Sequence, residues 1–151
     1  MRMILLGPPG AGKGSQALNL SSALHVPHIS TGDIFRANIK EETALGLRVK
    51  DIIDRGALVP DDLTVGIVAD RLEKEDCVGG FILDGFPRTI PQAEQLDTLL
   101  QEKGKAVNFV VNLECPDDVI IGRMSGRRMC ACGRTYHIKS NPPRVEGICD
   151  A

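Results

Sequence analysis

The chain opens on an apolar run, Met1–Leu6, without in–out alternation, the pattern of a strand buried on both faces of a parallel sheet. From Lys13 to Leu24 the period lengthens, and Ala17, Leu18, Leu20 and Leu24 form a helical stripe. Val26–Ser30 reads as a short second strand. Thr31–Lys40, Thr43–Arg55 and Asp61–Lys74 read as helices, punctuated by Gly46, Gly56 and Pro60. Two further apolar strands follow, Phe81–Asp84 and Val107–Leu113, with the helix Gln92–Glu102 between them. Pro116 opens another helix, with Asp117 and Asp118 in its first turn, where the helix dipole favours acids.

Strands alternating with helices predict an α/β fold, a doubly wound parallel sheet with right-handed crossovers and helices on both faces. The stretch 31–79 between the second and third strands is too long for one crossover helix, so a small helical insertion is expected there. Beyond Met129 the chain turns to Cys, Gly, Pro and basic residues with no core period, and a second insertion begins. No internal repeat or low-complexity segment interrupts this order.

At 151 residues the chain suffices for one core. A net charge of −2 gives no global pull toward nucleic acid or a membrane surface. No apolar run reaches membrane-spanning length and no signal-peptide cleavage region precedes the first motif, so a cytoplasmic protein is expected. The five cysteines then read as thiols or metal ligands rather than a disulfide framework, with Cys77 and Cys115 expected as small core residues. One Tyr and no Trp argue against a stacking platform for single strands.

The chemistry starts at LLGPPGAGKGS, residues 5–15. The phosphate-loop pattern asks for Gly7, Gly12 and Lys13 and then for a hydroxyl; here Gly14 follows and Ser15 comes one place late. A strand before and a helix after would let the glycine N–H groups converge on phosphate oxygens at a helix N-terminus, with Lys13 reaching the terminal phosphates. Asp84 ends an apolar strand at the carboxyl edge, where open α/β sheets bind ligands, and is the candidate to hold Mg²⁺ directly or through water. STGDIFR (30–36) and DGFPRTIPQ (84–92) each follow a strand and bring Arg36 and Arg88 to the same edge; a guanidinium matches phosphate oxygens two at a time.

Together GPPGAGKGS, STGDIFR, LDGFPRT with Gln92, and GRMSGRR at 122–128 resemble the successive signatures of the adenylate kinase family, in order and spacing, over essentially the whole chain. In that family the loop carries glycine where Gly14 stands and a hydroxyl where Ser15 stands. The resemblance implies reversible transfer, MgATP plus AMP giving two ADP, in adenine nucleotide homeostasis. It assigns Gly10, Ala11, Gly12, Lys13, Gly14 and Ser15, with Arg127, Thr135 and Tyr136, to ATP. It assigns Thr31, Arg36, Ala57, Leu58, Val59, Gly85, Phe86, Pro87, Arg88 and Gln92 to AMP, Thr31 and Gln92 helping to read the adenine. Lys13, Arg36, Arg88, Arg123 and Arg127 are the implied catalytic charges. Arg123 and Arg127 stand four apart, which on one helix would give them a common face. From Gly122 to Val145 there are six Arg or Lys and no acid.

The resemblance further implies a core of residues 1–29 and 60–128, an AMP-binding insertion at 30–59 and a lid beginning at 129–151. The family's zinc-type lid writes its first cysteine pair C-x-x-C. This chain has C-x-C, so Cys130, Cys132 and Cys149 are the expected Zn²⁺ ligands, Cys132 being the departure. The family's remaining lid arginines, fifth strand and terminal helix would lie beyond Ala151. A longer kinase is therefore expected, with negligible turnover from residues 1–151 alone. A monomer acting on ATP, AMP and ADP, with no nucleic-acid or membrane partner, completes the expectation. Two other readings are a kinase for UMP or CMP, which shares the loop, TGD and GFPR, and a zinc knuckle touching RNA through its basic flank.

Overall fold

In the computed structural model, which describes residues 1–132 and 134–151, the apolar runs become β1 (Arg2–Leu6), β2 (His28–Ser30), β3 (Phe81–Asp84) and β4 (Phe109–Asn112). They form one parallel sheet in the order β2-β3-β1-β4, with Arg2 opposite Phe81, Met3 opposite Phe109 and Ser30 opposite Asp84. The central strands are buried, as their unbroken apolar character requires. At the edge, β4 leaves all four of its residues exposed, Phe109 and Val110 at 54% and 58%.

The helices are α1 (Lys13–Leu24), α2 (Thr31–Lys40), α3 (Ala44–Asp54), α4 (Asp61–Leu72), α5 (Ile90–Glu102) and α6 (Asp117–Gly126). Their boundaries follow from caps. Thr43 lies outside α3 because its hydroxyl accepts the Gly46 N–H at 3.0 Å. The fourth helix ends at Leu72 rather than Lys74, which takes an extended conformation and leads into a 3₁₀ turn at Glu75–Cys77. The fifth begins two residues before Gln92 because Thr89 caps it and Pro91 suits a first turn. Between α2 and α3 the backbones nearly touch: a side chain at Gly46 would collide with the Asn38 carbonyl.

Residues 1–6 and 13–112 form one compact unit, and residues 7–12 and 113–151 a second. In the first, Ile4, Ile29, Leu83, Phe86 and Leu96 belong to a core shared by sheet and helices. Phe35, Val49 and Val59 form a smaller core with Leu63 and Ile67. That second cluster ties residues 30–59 to α4, so they fold within the first unit.

The second unit holds α6 and a hairpin of β5 (Arg127–Met129) and β6 (Thr135–His137). Two expectations are corrected here. Arg123 and Arg127 do not share a helix face, because α6 stops at Gly126 and Arg127 is extended (φ −70, ψ 136), paired with His137. The missing side chain of Gly126 is where the His137 ring packs, so the chain leaves the helix to form the hairpin. Cys77 is a core residue, 3% exposed, but Cys115 is only half-buried in the loop before α6, its sulfur 3.8 Å from Arg123 Nη1. Among the described residues no helix is long and apolar enough to cross a membrane.

Candidate functional site

In the first unit the loop after β3 and the first turn of α2 meet across one hydrogen bond. Thr31, 3% exposed, donates its hydroxyl to the Gly85 carbonyl at 3.0 Å. This contact opens one wall of a cavity of about 210 Å³, which Thr31, Arg36, Ala57, Leu58, Val59, Gly85, Arg88 and Gln92 help to line. Gly85 needs no side chain there: its φ is +76, and a Cβ would press on the Arg88 guanidinium at 3.1 Å. Phe86 and Pro87 are not in the lining. Phe86 is fully buried, with its ring in the core, and positions the loop from behind.

The charges at this cavity are held by neighbouring groups. Arg88 Nε donates to the Gly85 carbonyl at 2.8 Å, which anchors the side chain and leaves its guanidinium on the exposed side. Arg36 Nη2 pairs with Asp33 Oδ1 at 2.5 Å, and the guanidinium lies along Gly32. Burial pushes the Asp33 carboxyl up, but the hydrogen bond and charge of Arg36, with help from Ser30, outweigh it and hold the group below its ordinary 3.8. A depressed folded pKa stabilises the fold above the unfolded value, and that stabilisation is lost as pH falls through the folded one. An Asp33→Asn protein should therefore melt below the wild type at pH 6, and the gap should close as the pH falls below the ordinary value of 3.8. A gap that does not change with pH would show that the pair contributes nothing through charge.

Asp84, at the end of β3, is 13% exposed; its Oδ2 lies 3.3 Å from His28 Nε2 and faces the first turn of α1, 3.7 Å from where a Cβ on Gly14 would stand. Lys13, Gly14 and Ser15 form that first turn, and a helix N-terminus favours anions. A carboxylate at this position, held by an imidazole, suits a hydrated divalent cation beside phosphates.

Gly7–Gly12, in the second unit, is the other half of the loop. Gly7, Gly10 and Gly12 have φ of +135, +83 and +101, and the Ala11 N–H donates to the Pro8 carbonyl at 3.2 Å. A side chain at Gly7 would meet the Leu113 carbonyl at 2.5 Å. Arg123 Nη1 donates to the carbonyls of Gly10 and Ala11 at 3.1 and 3.3 Å, so this arginine braces the loop from α6. Arg127 is exposed on β5.

Between β5 and β6, Cys130 and Cys132 meet Cys149 from beyond the hairpin, the three sulfurs lying within 4.8 Å of one another and those of Cys132 and Cys149 at 3.4 Å. Thiolates on one tetrahedral Zn²⁺ stand about 3.8 Å apart, given Zn–S bonds of about 2.3 Å, so the set fits a metal ion and the C-x-C spacing does not keep Cys132 away. The Tyr136 hydroxyl lies 3.3 Å from Cys149 Sγ and accepts the Asp150 N–H, while Thr135 pairs with Met129. Tyr136, with the Ala151 N–H and the neighbouring thiols, brings the Cys149 thiol down to about 7, a thiolate-prone environment. Of the residues that matter around these sites, His28 and Asp61 escaped the sequence reading. Asp61 carries only the signal of an acid in a helix's first turn, which dipole compensation explains by itself.

A sequence profile described as adenylate kinase matches residues 5–148. A protein named adenylate kinase from Lachnospira eligens is 58% identical over 152 residues, covering 100% of this chain and 71% of its own length. One of the same name from Caldanaerobacter subterraneus subsp. tengcongensis is 56% identical, over 99% of this chain and 68% of its own length. Another, from Clostridium botulinum, is 58% identical over 99% of this chain and 70% of its own.

Proposed function

The chain belongs to the adenylate kinase family, and on that footing we propose that AMP occupies the cavity of Thr31, Arg36, Arg88 and Gln92 while residues 10–15 take the phosphates of ATP. It is a phosphotransferase for ATP and AMP, an enzyme of nucleotide biosynthesis. The readings as a UMP or CMP kinase, or as an RNA-binding knuckle, are not favoured beside relatives named adenylate kinase. The observation that carries the AMP assignment is chemical: one cavity combines a buried amide, Gln92, with two guanidiniums, the pairing needed for a base at one end and a phosphate at the other.

In the reaction an oxygen of the AMP phosphate attacks the terminal phosphorus of ATP, and the bond to the bridging oxygen breaks as ADP leaves. No protein nucleophile takes part. Arg36 and Arg88 orient the acceptor phosphate, and Arg36 exchanges Asp33 for it. The first turn of α1, the loop N–H groups and Lys13 hold the donor phosphates, and Arg123 keeps the loop in shape. Arg127 adds charge for the phosphates, and Thr135 and Tyr136 belong to the same ATP assignment. Asp84 would hold the Mg²⁺ that accompanies ATP through its water shell, and that ion supplies charge neutralisation to the phosphates. Residues 129–151 act as a lid, residues 30–59 as the AMP-binding insertion, and the remainder as the core. Thiols kept reduced suit the cytoplasm, and one chain carrying all these residues suits a monomer.

Titrating AMP, UMP and CMP against the protein should give tightest binding for AMP, with Arg88→Ala weakening it at least tenfold. A preference for UMP would overturn the assignment of the cavity. The same reading puts Zn²⁺ on Cys130, Cys132 and Cys149 as a structural ion. Zn²⁺ titration should load one equivalent, a chelator should lower the melting temperature, and Cys132→Ser should bind the ion far more weakly. Unaltered Zn²⁺ affinity in Cys132→Ser would remove that residue from the ligand set.

A further inference from the structure

We infer that Asp61 sets the base selectivity of the cavity by holding the Gln92 amide in one of its two orientations; the inference rests on the assignment of Gln92 as a base-reading group.

A glutamine amide has a donor end and an acceptor end of nearly equal size, so only its partners decide which way it faces. Gln92 is 2% exposed, and its partners leave no ambiguity. Its Nε2 donates to Asp61 Oδ1 at 2.6 Å, and its Oε1 accepts the Arg88 backbone N–H at 2.8 Å. A carboxylate only accepts and a backbone N–H only donates. Turning the amide over would set oxygen against the carboxylate and NH₂ against the N–H, two repulsive contacts in a buried place.

Asp61 is itself held. Its second oxygen accepts the Thr89 hydroxyl at 2.8 Å, and Thr89 in turn accepts the Gln92 N–H as the cap of α5. The half-buried carboxylate, at the start of α4, thus clamps the start of α5 and orients the side chain one turn further on. A merely stabilising clamp would need the Thr89 bond alone; the Gln92 bond acts on the cavity.

The amide keeps one N–H on Nε2 and one lone pair on Oε1 for a ligand. A 6-aminopurine presents a donor at its exocyclic nitrogen beside an acceptor at N1. A 6-oxopurine presents the reverse, a carbonyl oxygen beside N1–H. With the phosphate anchored at the guanidiniums the base cannot be turned over, so an amide that flips freely serves either edge, and a pinned amide serves one. Sites built on oriented hydrogen bonds reject the analogue that leaves them mispaired.

The test is the ratio of dissociation constants for inosine and adenosine monophosphates, measured by calorimetry on the wild type and three variants. The isosteric Asp61→Asn removes the charge and can itself turn over with Gln92; the preference for the aminopurine should fall about tenfold while ATP affinity is unchanged. Thr89→Ala, which loses the cap but keeps the Asp61–Gln92 bond, should melt lower and retain the ratio. Gln92→Ala should lose the preference. If Gln92→Ala loses it and Asp61→Asn keeps it, the inference fails while the assignment of Gln92 stands; if Gln92→Ala also keeps it, the assignment of Gln92 fails and the inference with it. A loss in Thr89→Ala as large as in Asp61→Asn would overturn the inference by showing that placement of α5, not amide orientation, sets selectivity. Should Asp61→Asn not fold, Asp61→Ser removes the same carboxylate and is read in the same way.

Discussion

Replacing Lys13 by alanine should lower the rate of ADP formation from ATP and AMP at least a hundredfold, about 3 kcal/mol in the barrier, without unfolding the protein. Lys13 begins α1, directly after a loop whose three glycines adopt positive φ so that N–H groups can turn toward an anion. In the role proposed for them, those N–H groups would bind phosphate in the ground state as well as in the transition state. In the role proposed for Lys13, the ammonium on its flexible stem would follow the transferring group, and this is the stabilisation that would raise the rate. Alanine is the best helix former and sits here at a half-exposed first turn, so the helix keeps its propensity. Initial rates under saturating nucleotides, with a melting curve alongside, separate the two effects. Near-normal turnover would remove Lys13 from the machinery.

Phe86→Ala should cost about 3–5 kcal/mol of stability and weaken AMP binding with it. The ring is fully buried and packs in the core with Ile4, Leu83 and Leu96, while its neighbours Gly85 and Arg88 form the cavity wall. A cavity behind the loop takes support from the Thr31–Gly85 and Arg88–Gly85 contacts together. Phe86→Leu, which keeps most of the volume, should cost well under half as much. Denaturant unfolding reads the stability, and AMP titration under native conditions reads the site. If Phe86→Ala unfolds at the wild-type midpoint, the ring does not contribute as its burial implies. The resemblance to a known family assigned Phe86 to AMP; its packing puts any such effect at one remove, through the backbone of its neighbours.

How much could be read in advance depends on the range of the interaction concerned. Burial on both faces demands a continuous apolar run, and so β1 and β3 were legible from residue type alone. Helix ends were legible to within two residues, because caps such as Thr43 and Thr89 act on N–H groups three positions away. The glycine turn and the helix that opens at Lys13 were legible for the same reason, being consecutive in the chain. The sequence by itself therefore determined β1 to β4, the helices to within two residues and the glycine turn that precedes α1.

Tertiary structure decided what depends on residues far apart in the chain. Arg127 lost its helical register because Gly126 accepts the ring of His137, eleven positions on, a contact that spacing cannot encode. Cys132 meets Cys149 across 17 residues, so the short C-x-C turn mattered less than where the segment carrying Cys149 returns. Asp61 acts on Gln92 over 31 positions and looked like any first-turn acid until α4 and α5 were packed side by side. Local patterning reports which conformation a segment takes, since those energies come from neighbours within a turn. Which side chain a carboxylate or a thiol meets is set by the packing of whole elements, and only the folded chain specifies it.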